Sequence, residues 1–157
     1  MPIETDIGRK AWSLFFEFFQ DERGRISAVC NKLGLTGAQG HLLRRLKPGT
    51  TIPMRGLAQV LGYDASNITG LVDKLEARGL VERRPDPTDR RVRMIAITEA
   101  GAALRDTLLE NVFIPPPAIA SLNDRDKQLL AEILSKVVRA SHTKAETLHP
   151  VPLEPGK

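Results

Sequence analysis

Two short helical patterns with three residues between them constrain this chain more than any other feature. Leu57, Ala58 and Leu61 recur on one helix face, with Pro53 suited to the first helical position and Gly62 just past the end. Asp64 then suits the N-cap of a second helix, Ala65 to Arg78, which puts Ile68, Leu71, Val72 and Leu75 on one arc and closes at Gly79. With only Gly62-Tyr63-Asp64 between them, the pair has the spacing of a helix-turn-helix. The next segments change period. "LVERR" and "RVRMIAIT" read as two short strands around the turn "RRPDPTDRR". A helical pair followed at once by a basic hairpin is the plan of a winged helix-turn-helix.

Helices surround this centre. Asp6 can cap a first helix whose Trp12, Phe15, Phe16 and Phe19 follow the i, i+3, i+4, i+7 spacing. Ile26, Val29, Cys30 and Leu33 continue the stripe; Gly24 is a candidate bend and Gly34 the stop. Thr36 suits the cap of a second helix carrying Leu42, Leu43 and Leu46, ended by Pro48-Gly49. Thr98 suits the cap of a fifth helix, which the prolines at 115–117 must end or kink, because proline lacks the donor and clashes with the preceding turn. Asn123 suits the cap of a last helix with Leu130, Ile133, Leu134, Val137 and Val138 as its stripe. The tail "LHPVPLEPGK" is too rich in proline to be helical.

The free face of the fourth helix is small and polar. Ser66, Gly70, Asp73 and Ala77 fall opposite the apolar arc, flanked by Asn67, Thr69 and Lys74. Hydroxyl and amide groups there can donate and accept hydrogen bonds at base edges or phosphates. Downstream, Arg83, Arg84, Arg90, Arg91 and Arg93 crowd one hairpin against Asp86 and Asp89. Arginine suits bidentate phosphate contact and narrow minor grooves. A helix in the major groove beside an arginine loop in the minor groove makes one coherent surface. Arg83, Arg84 and Arg90 are expected on phosphates. The competing reading, a winged-helix interaction module without DNA binding, fits poorly with an intact basic wing.

Other chemistry finds little support. At 157 residues the chain suits one domain, and its formal charge of +4 permits an anionic partner without requiring one. No apolar run nears the roughly 20 residues that span a bilayer, and the N-terminus lacks a signal peptide's apolar region, so a cytoplasmic protein without membrane partners is expected. His41, His142 and His149 are scattered, and no nucleophile–base order, metal-ligand spacing or phosphate-cradling glycine loop is present. No enzyme, catalytic residue, metal site or cofactor is therefore expected. Cys30 is the single cysteine and sits late on an apolar stripe, which reads as a buried structural thiol rather than a redox sensor.

"LAQVLGYDASNITGLVDKLEARGLVERRPDPTDRRVRMIAITEAG", Leu57 to Gly101, resembles the MarR family of transcriptional regulators, and "LTGAQGHLLRRL", Leu35 to Leu46, looks like that family's second helix. The resemblance implies a mainly α, winged helix-turn-helix homodimer on a pseudo-palindromic double-stranded DNA site, usually a repressor. Over a single domain, 1–157, it places the winged-helix lobe with its two-stranded β wing at 35–97. N- and C-terminal dimerisation helices fall at 1–34 and 98–143, and an irregular tail at 144–157. The DNA-binding set is then Ser66, Asn67, Thr69, Gly70, Lys74, Arg83, Arg84, Asp89, Arg90 and Arg91, with Asp89 bracing Arg91 and the Arg91 head entering the minor groove. Family members often release DNA on binding a small aromatic effector, and Trp12, Phe15, Phe16 and Phe19 are the candidate pocket lining. The chain departs from the family pattern at Gly70, where many members carry arginine, and in "FIPPPAI", Phe113 to Ile119, where many keep a longer helix.

Overall fold

In a computed structural model that describes residues 6–148, with side chains through residue 141, the order is α1 (Ile7–Lys32), α2 (Gly37–Arg45), β1 (Thr51–Pro53), α3 (Met54–Leu61), α4 (Ala65–Ala77), β2 (Val81–Pro85), β3 (Arg93–Ile97), α5 (Glu99–Val112), α6 (Pro117–Ala120) and α7 (Asp124–Leu148). Two compact units divide at the proline run, residues 1–114 and 115–157.

Local chemistry sets most helix starts. Asp6 accepts the Gly8 N–H at 3.0 Å. Thr36 and Gln39 form a reciprocal capping box: the Gln39 N–H donates to Thr36 Oγ1 at 3.2 Å and the Thr36 N–H to Gln39 Oε1 at 2.8 Å. Thr98 Oγ1 accepts the Gly101 N–H, and Asn123 Oδ1 accepts the Asp126 N–H. Gly24 does not interrupt α1.

The two-stranded wing is present as β2 and β3, and a strand not expected from the sequence joins it: Thr51, Ile52 and Pro53 pair with Ala96, Ile95 and Met94, so the sheet is three-stranded and antiparallel in the order β1-β3-β2. Two expectations need correction. Pro53 is the last residue of this edge strand and the N-cap of α3, not its first helical residue; an edge strand tolerates the missing donor. The last helix runs to Leu148, past the expected start of the tail at 144, while residues 149–157, including His149, lie outside the described residues.

The core of the first unit lies under the helix pair and the sheet. Leu42 and Leu43 of α2, Leu57 of α3, Ile68, Val72 and Leu75 of α4 and Ile95 of β3 are fully buried. Each such side chain contributes about 1.5–3 kcal/mol relative to exposure, so α4 cannot rotate without uncovering its whole inner face. Cys30 is buried in the same cluster, as its position on the stripe implies. The aromatic half of α1 behaves otherwise: Trp12, Phe15, Phe16 and Phe19 are each 46–63% exposed. In the second unit, Leu129, Ile133, Leu134, Val137 and Val138 of α7 are also exposed.

Candidate nucleic-acid interface

Gly62 makes the turn between α3 and α4. At φ 66° it is left-handed, which costs glycine nothing, and the Tyr63 N–H returns to the Ala58 carbonyl at 3.2 Å. Asp64 takes the N-cap position of α4 in an extended conformation but makes no side-chain cap bond, so the first-turn N–H groups of α4 are left without the carboxylate that the sequence suggests. Ile68, Val72 and Leu75 point inward, and Leu71 is half-buried at the margin.

The outward face carries the expected polar groups. Ser66, Asn67, Gly70 and Lys74 line a shallow groove of about 370 Å³ with Ala38, Tyr63 and Leu71. Thr69 is exposed, but its hydroxyl donates to the Ala65 carbonyl at 2.9 Å, leaving it only acceptor capacity outward. Nothing lies within 4 Å of a Cβ built on Gly70, so this glycine fills no packing need and leaves a notch in the face.

The wing explains how so many arginines and two aspartates share one turn. Val81 through Pro85 pair with Ile97 through Arg93 in antiparallel register, and beyond Pro85 the acids are used on the loop itself. Asp86 Oδ1 accepts the Thr88 N–H at 2.7 Å, the Thr88 hydroxyl at 2.5 Å and the Asp89 N–H at 3.2 Å. Those bonds, the Thr88 hydroxyl's foremost, hold the Asp86 carboxyl below its ordinary range. The loop closes through the Asp86 N–H to the Val92 carbonyl at 3.0 Å and the Val92 N–H to the Asp89 carbonyl at 2.9 Å. Arg90, Arg91 and Arg93 are exposed, with no side-chain partner among the described residues.

Two candidates sit differently from expectation. Asp89 Oδ1 accepts the backbone N–H of Arg91 at 3.0 Å rather than its guanidinium, so what it fixes is the direction in which residue 91 leaves the loop. Arg83 is turned back onto α4, where its guanidinium meets Asp73 and Glu76. Arg84 is exposed and pairs with Glu82.

A second concavity, about 570 Å³, opens among α1, α2 and α5. Of the four aromatics expected to line a pocket, only Phe19 does; Trp12, Phe15 and Phe16 cluster along the outside of α1, with Trp12 stacked on Phe15 at 5.8 Å between centroids and tilted against Phe16 at 6.3 Å. The lining that the sequence does not reveal comes from three helices: Arg23, Ile26 and Cys30 of α1, His41 and Arg44 of α2, and Leu108 of α5. Burial, then the neighbouring Arg44 and Arg45, pushes the His41 imidazole below its usual range, and burial raises the Cys30 thiol. That keeps Cys30 protonated and a weak nucleophile. Among the described residues no group of three acidic, histidine or cysteine side chains could hold a metal ion, and no helix is long and apolar enough to cross a membrane.

Comparison with known proteins agrees with this architecture. The MarR family model matches residues 33–92, from the end of α1 to the wing. The HTH-type transcriptional repressor NicR of Pseudomonas putida is 30% identical over 131 residues, covering 83% of this chain and 78% of NicR. The HTH-type transcriptional regulator MhqR of Bacillus subtilis is 30% identical over 134 residues, covering 85% of this chain and 92% of MhqR. Among solved structures, wild-type MarR of Escherichia coli in its apo form superposes with a TM-score of 0.71 at 26% identity, covering 87% of this chain and 97% of that one. These relatives are transcriptional regulators, not enzymes. By sequence and by fold, the chain belongs to the MarR family of winged-helix, DNA-binding transcriptional regulators.

Proposed function

We propose that the protein works in the cytoplasm as a homodimeric repressor that leaves a pseudo-palindromic operator when a small aromatic compound binds. The observation that carries the DNA reading is the wing tip: its aspartates are engaged by the loop, and Arg90, Arg91 and Arg93 are exposed without a side-chain partner among the described residues. Ser66, Asn67, Thr69, Gly70 and Lys74 then face the major groove, Arg91 enters the minor groove, and Arg84 and Arg90 serve phosphates. Asp89 acts on Arg91 through the backbone. The exposed aromatic ladder of α1 supports the dimer, since four large rings in water on one helix are an unusually large apolar patch for a monomer. On this reading residues 1–34 and 98–143 make the dimer lobe and residues 35–97 the DNA lobe.

The cavity supports the effector. Its apolar wall of Phe19, Ile26 and Leu108 with Arg23 and Arg44 at its margin suits an aromatic ring bearing an acidic group. A ligand need prefer the released geometry by only a few kcal/mol to shift the equilibrium. NicR and another relative, MdtR of Bacillus subtilis, are described as repressors, which supports that sign of regulation.

The test is selection of a binding site from random duplex DNA, followed by Arg91→Ala. A minor-groove arginine reads groove width, so its loss costs about 1–3 kcal/mol on the selected site and less on a scrambled duplex. Asp89→Ala gives a milder version of the same selective loss, although it removes a charge that DNA repels. Equal losses on both duplexes for Arg91→Ala, or tighter binding to both for Asp89→Ala, reduces the wing to a plain basic patch. A screen of aromatic acids that moves neither melting temperature nor operator affinity removes the effector.

A further inference from the structure

Arg83 differs from the other arginines of the hairpin in what already holds it. Its side chain is 23% exposed, and its guanidinium is divided between two carboxylates of α4: Nη2 donates to Asp73 Oδ1 at 2.5 Å and Nη1 to Glu76 Oε2. Glu76 is engaged twice, because its Oε1 also accepts the Arg83 backbone N–H at 3.1 Å. Asp73 and Glu76 lie three residues apart and so share one face of the helix. Arg83 itself pairs with Ile95 in the middle of the hairpin, two residues before β2 ends and the arginine loop begins. One planar side chain therefore joins the fourth helix to the wing.

We propose that Arg83 is a positioning residue that sets the angle between α4 and the wing, and hence discriminates operator from other DNA rather than adding general affinity. The inference rests on the DNA-binding reading above and changes the role of one residue within it. A guanidinium whose fork holds two anions has little left to offer a phosphate. The partners are substantially exposed, at 58% for Asp73 and 38% for Glu76, so the pairs add little to folding stability. What they do supply is orientation. Helix and wing must match two adjacent grooves at once, whereas non-specific binding depends on charge alone. A hinge loosened at Arg83 therefore weakens the site-specific complex first.

The experiment uses the duplex that the wild-type protein enriches from a random pool and a scrambled duplex of equal length and composition, each titrated over a range of salt. Arg83→Lys keeps the charge but cannot bridge two carboxylates. It is expected to lower the ratio of selected to scrambled affinity by about tenfold, with the salt slope unchanged. Asp73→Ala with Glu76→Ala removes two negative charges and favours the helix, so plain electrostatics calls for tighter binding to both duplexes; the strut calls for the same fall in ratio, to which adding Arg83→Lys contributes nothing more. A Lys variant that retains the ratio overturns the proposal. So does an Arg83→Ala variant that weakens both duplexes equally while the salt slope drops by about one, the signature of a phosphate contact. If the wild-type protein enriches no duplex at all, the DNA reading itself fails, an outcome distinct from either.

Discussion

Replacing Gly101 by alanine is expected to cost far more than its place in a helix suggests. A Cβ built there lies 1.9 Å from the Leu80 carbonyl oxygen, 2.8 Å from the Leu80 carbonyl carbon and 2.9 Å from Ile97 Cγ1. An ordinary carbon–oxygen contact is about 3.3 Å, so the α5 terminus must retreat by about 1.4 Å from backbone that has no side chain to swing aside. The oxygen it meets already accepts the Thr98 N–H at 3.1 Å, and Thr98 in turn caps Gly101 and donates its hydroxyl to the Gly79 carbonyl at 2.6 Å. Overpacking costs about 1–3 kcal/mol and a lost buried hydrogen bond about 1 kcal/mol, against a gain of up to about 1 kcal/mol from alanine's helix propensity. The net is about 1–3 kcal/mol, or a melting temperature lower by about 2–12 °C. The assay is thermal and urea unfolding at one fixed protein concentration, because the proposed dimerisation would make the midpoint concentration-dependent. Gly24→Ala is the control: it sits inside α1 with nothing within 4 Å of its Cβ, and alanine there should raise stability by about 0.5–1 kcal/mol. A Gly101→Ala protein as stable as the wild type, or a Gly24→Ala protein that falls as far, refutes the reasoning.

Three further outcomes follow from the same structure. Trp12→Ala with Phe16→Ala should shift sedimentation toward monomer at micromolar concentration while leaving the helical circular dichroism of the remaining fold; an undiminished dimer would show that the ladder is not the interface. Cys30→Ser should lower stability by about 1–3 kcal/mol, since a buried hydroxyl needs a partner, without changing operator affinity; peroxide-dependent release that disappears in this variant would make Cys30 a sensor. His41 has a folded pKa depressed below 6.5, so the stability it supports is complete above about pH 6.5 and is lost as pH falls through the folded value. His41→Gln should flatten the decline of the melting temperature below about pH 6.5, and a slope identical to the wild type's would remove His41 as its source.

What could be read from the sequence was what local chemistry decides. Thr36, Thr98, Asp6 and Asn123 cap within three residues of themselves, and the period of Ile68, Val72 and Leu75 faces a core that any packing of α4 must fill. What stayed hidden depends on distant partners. Thr51, Ile52 and Pro53 look like the approach to a helix, and only Met94, Ile95 and Ala96, more than forty residues on, make them a strand. The same holds at the site. The wing's basic character shows in its composition, but whether an aspartate meets a guanidinium or a backbone N–H is a matter of loop geometry, so the roles of Asp89 and Arg83 appear only in three dimensions. The cavity likewise draws its lining from three helices, and the periodicity of one helix does not mark Arg23, His41 and Leu108 as neighbours. Phe19 is visible in the sequence, but the exposure of Trp12, Phe15 and Phe16 on the outside of α1 is not, because an apolar face in a sequence does not say whether it meets its own chain or another.

The self-fastened wing tip has a consequence for search kinetics. Asp86 ties Thr88 and Asp89, Asp89 ties Arg91, and Val92 closes the ring, so the loop gives up its conformational freedom when the protein folds and not when it meets a duplex. The arginines then form a fixed concentration of positive potential at the end of a hairpin, which draws in a polyanion from a distance and raises the rate of first encounter, steeply so at low salt. A loop that ordered only on contact would add a slow step after each landing. A chain that tests many wrong sequences for each right one gains more from fast landing and release than from tight grip, and in the DNA-contact role proposed for the wing, the two aspartates that lower its charge are what would let it land already formed.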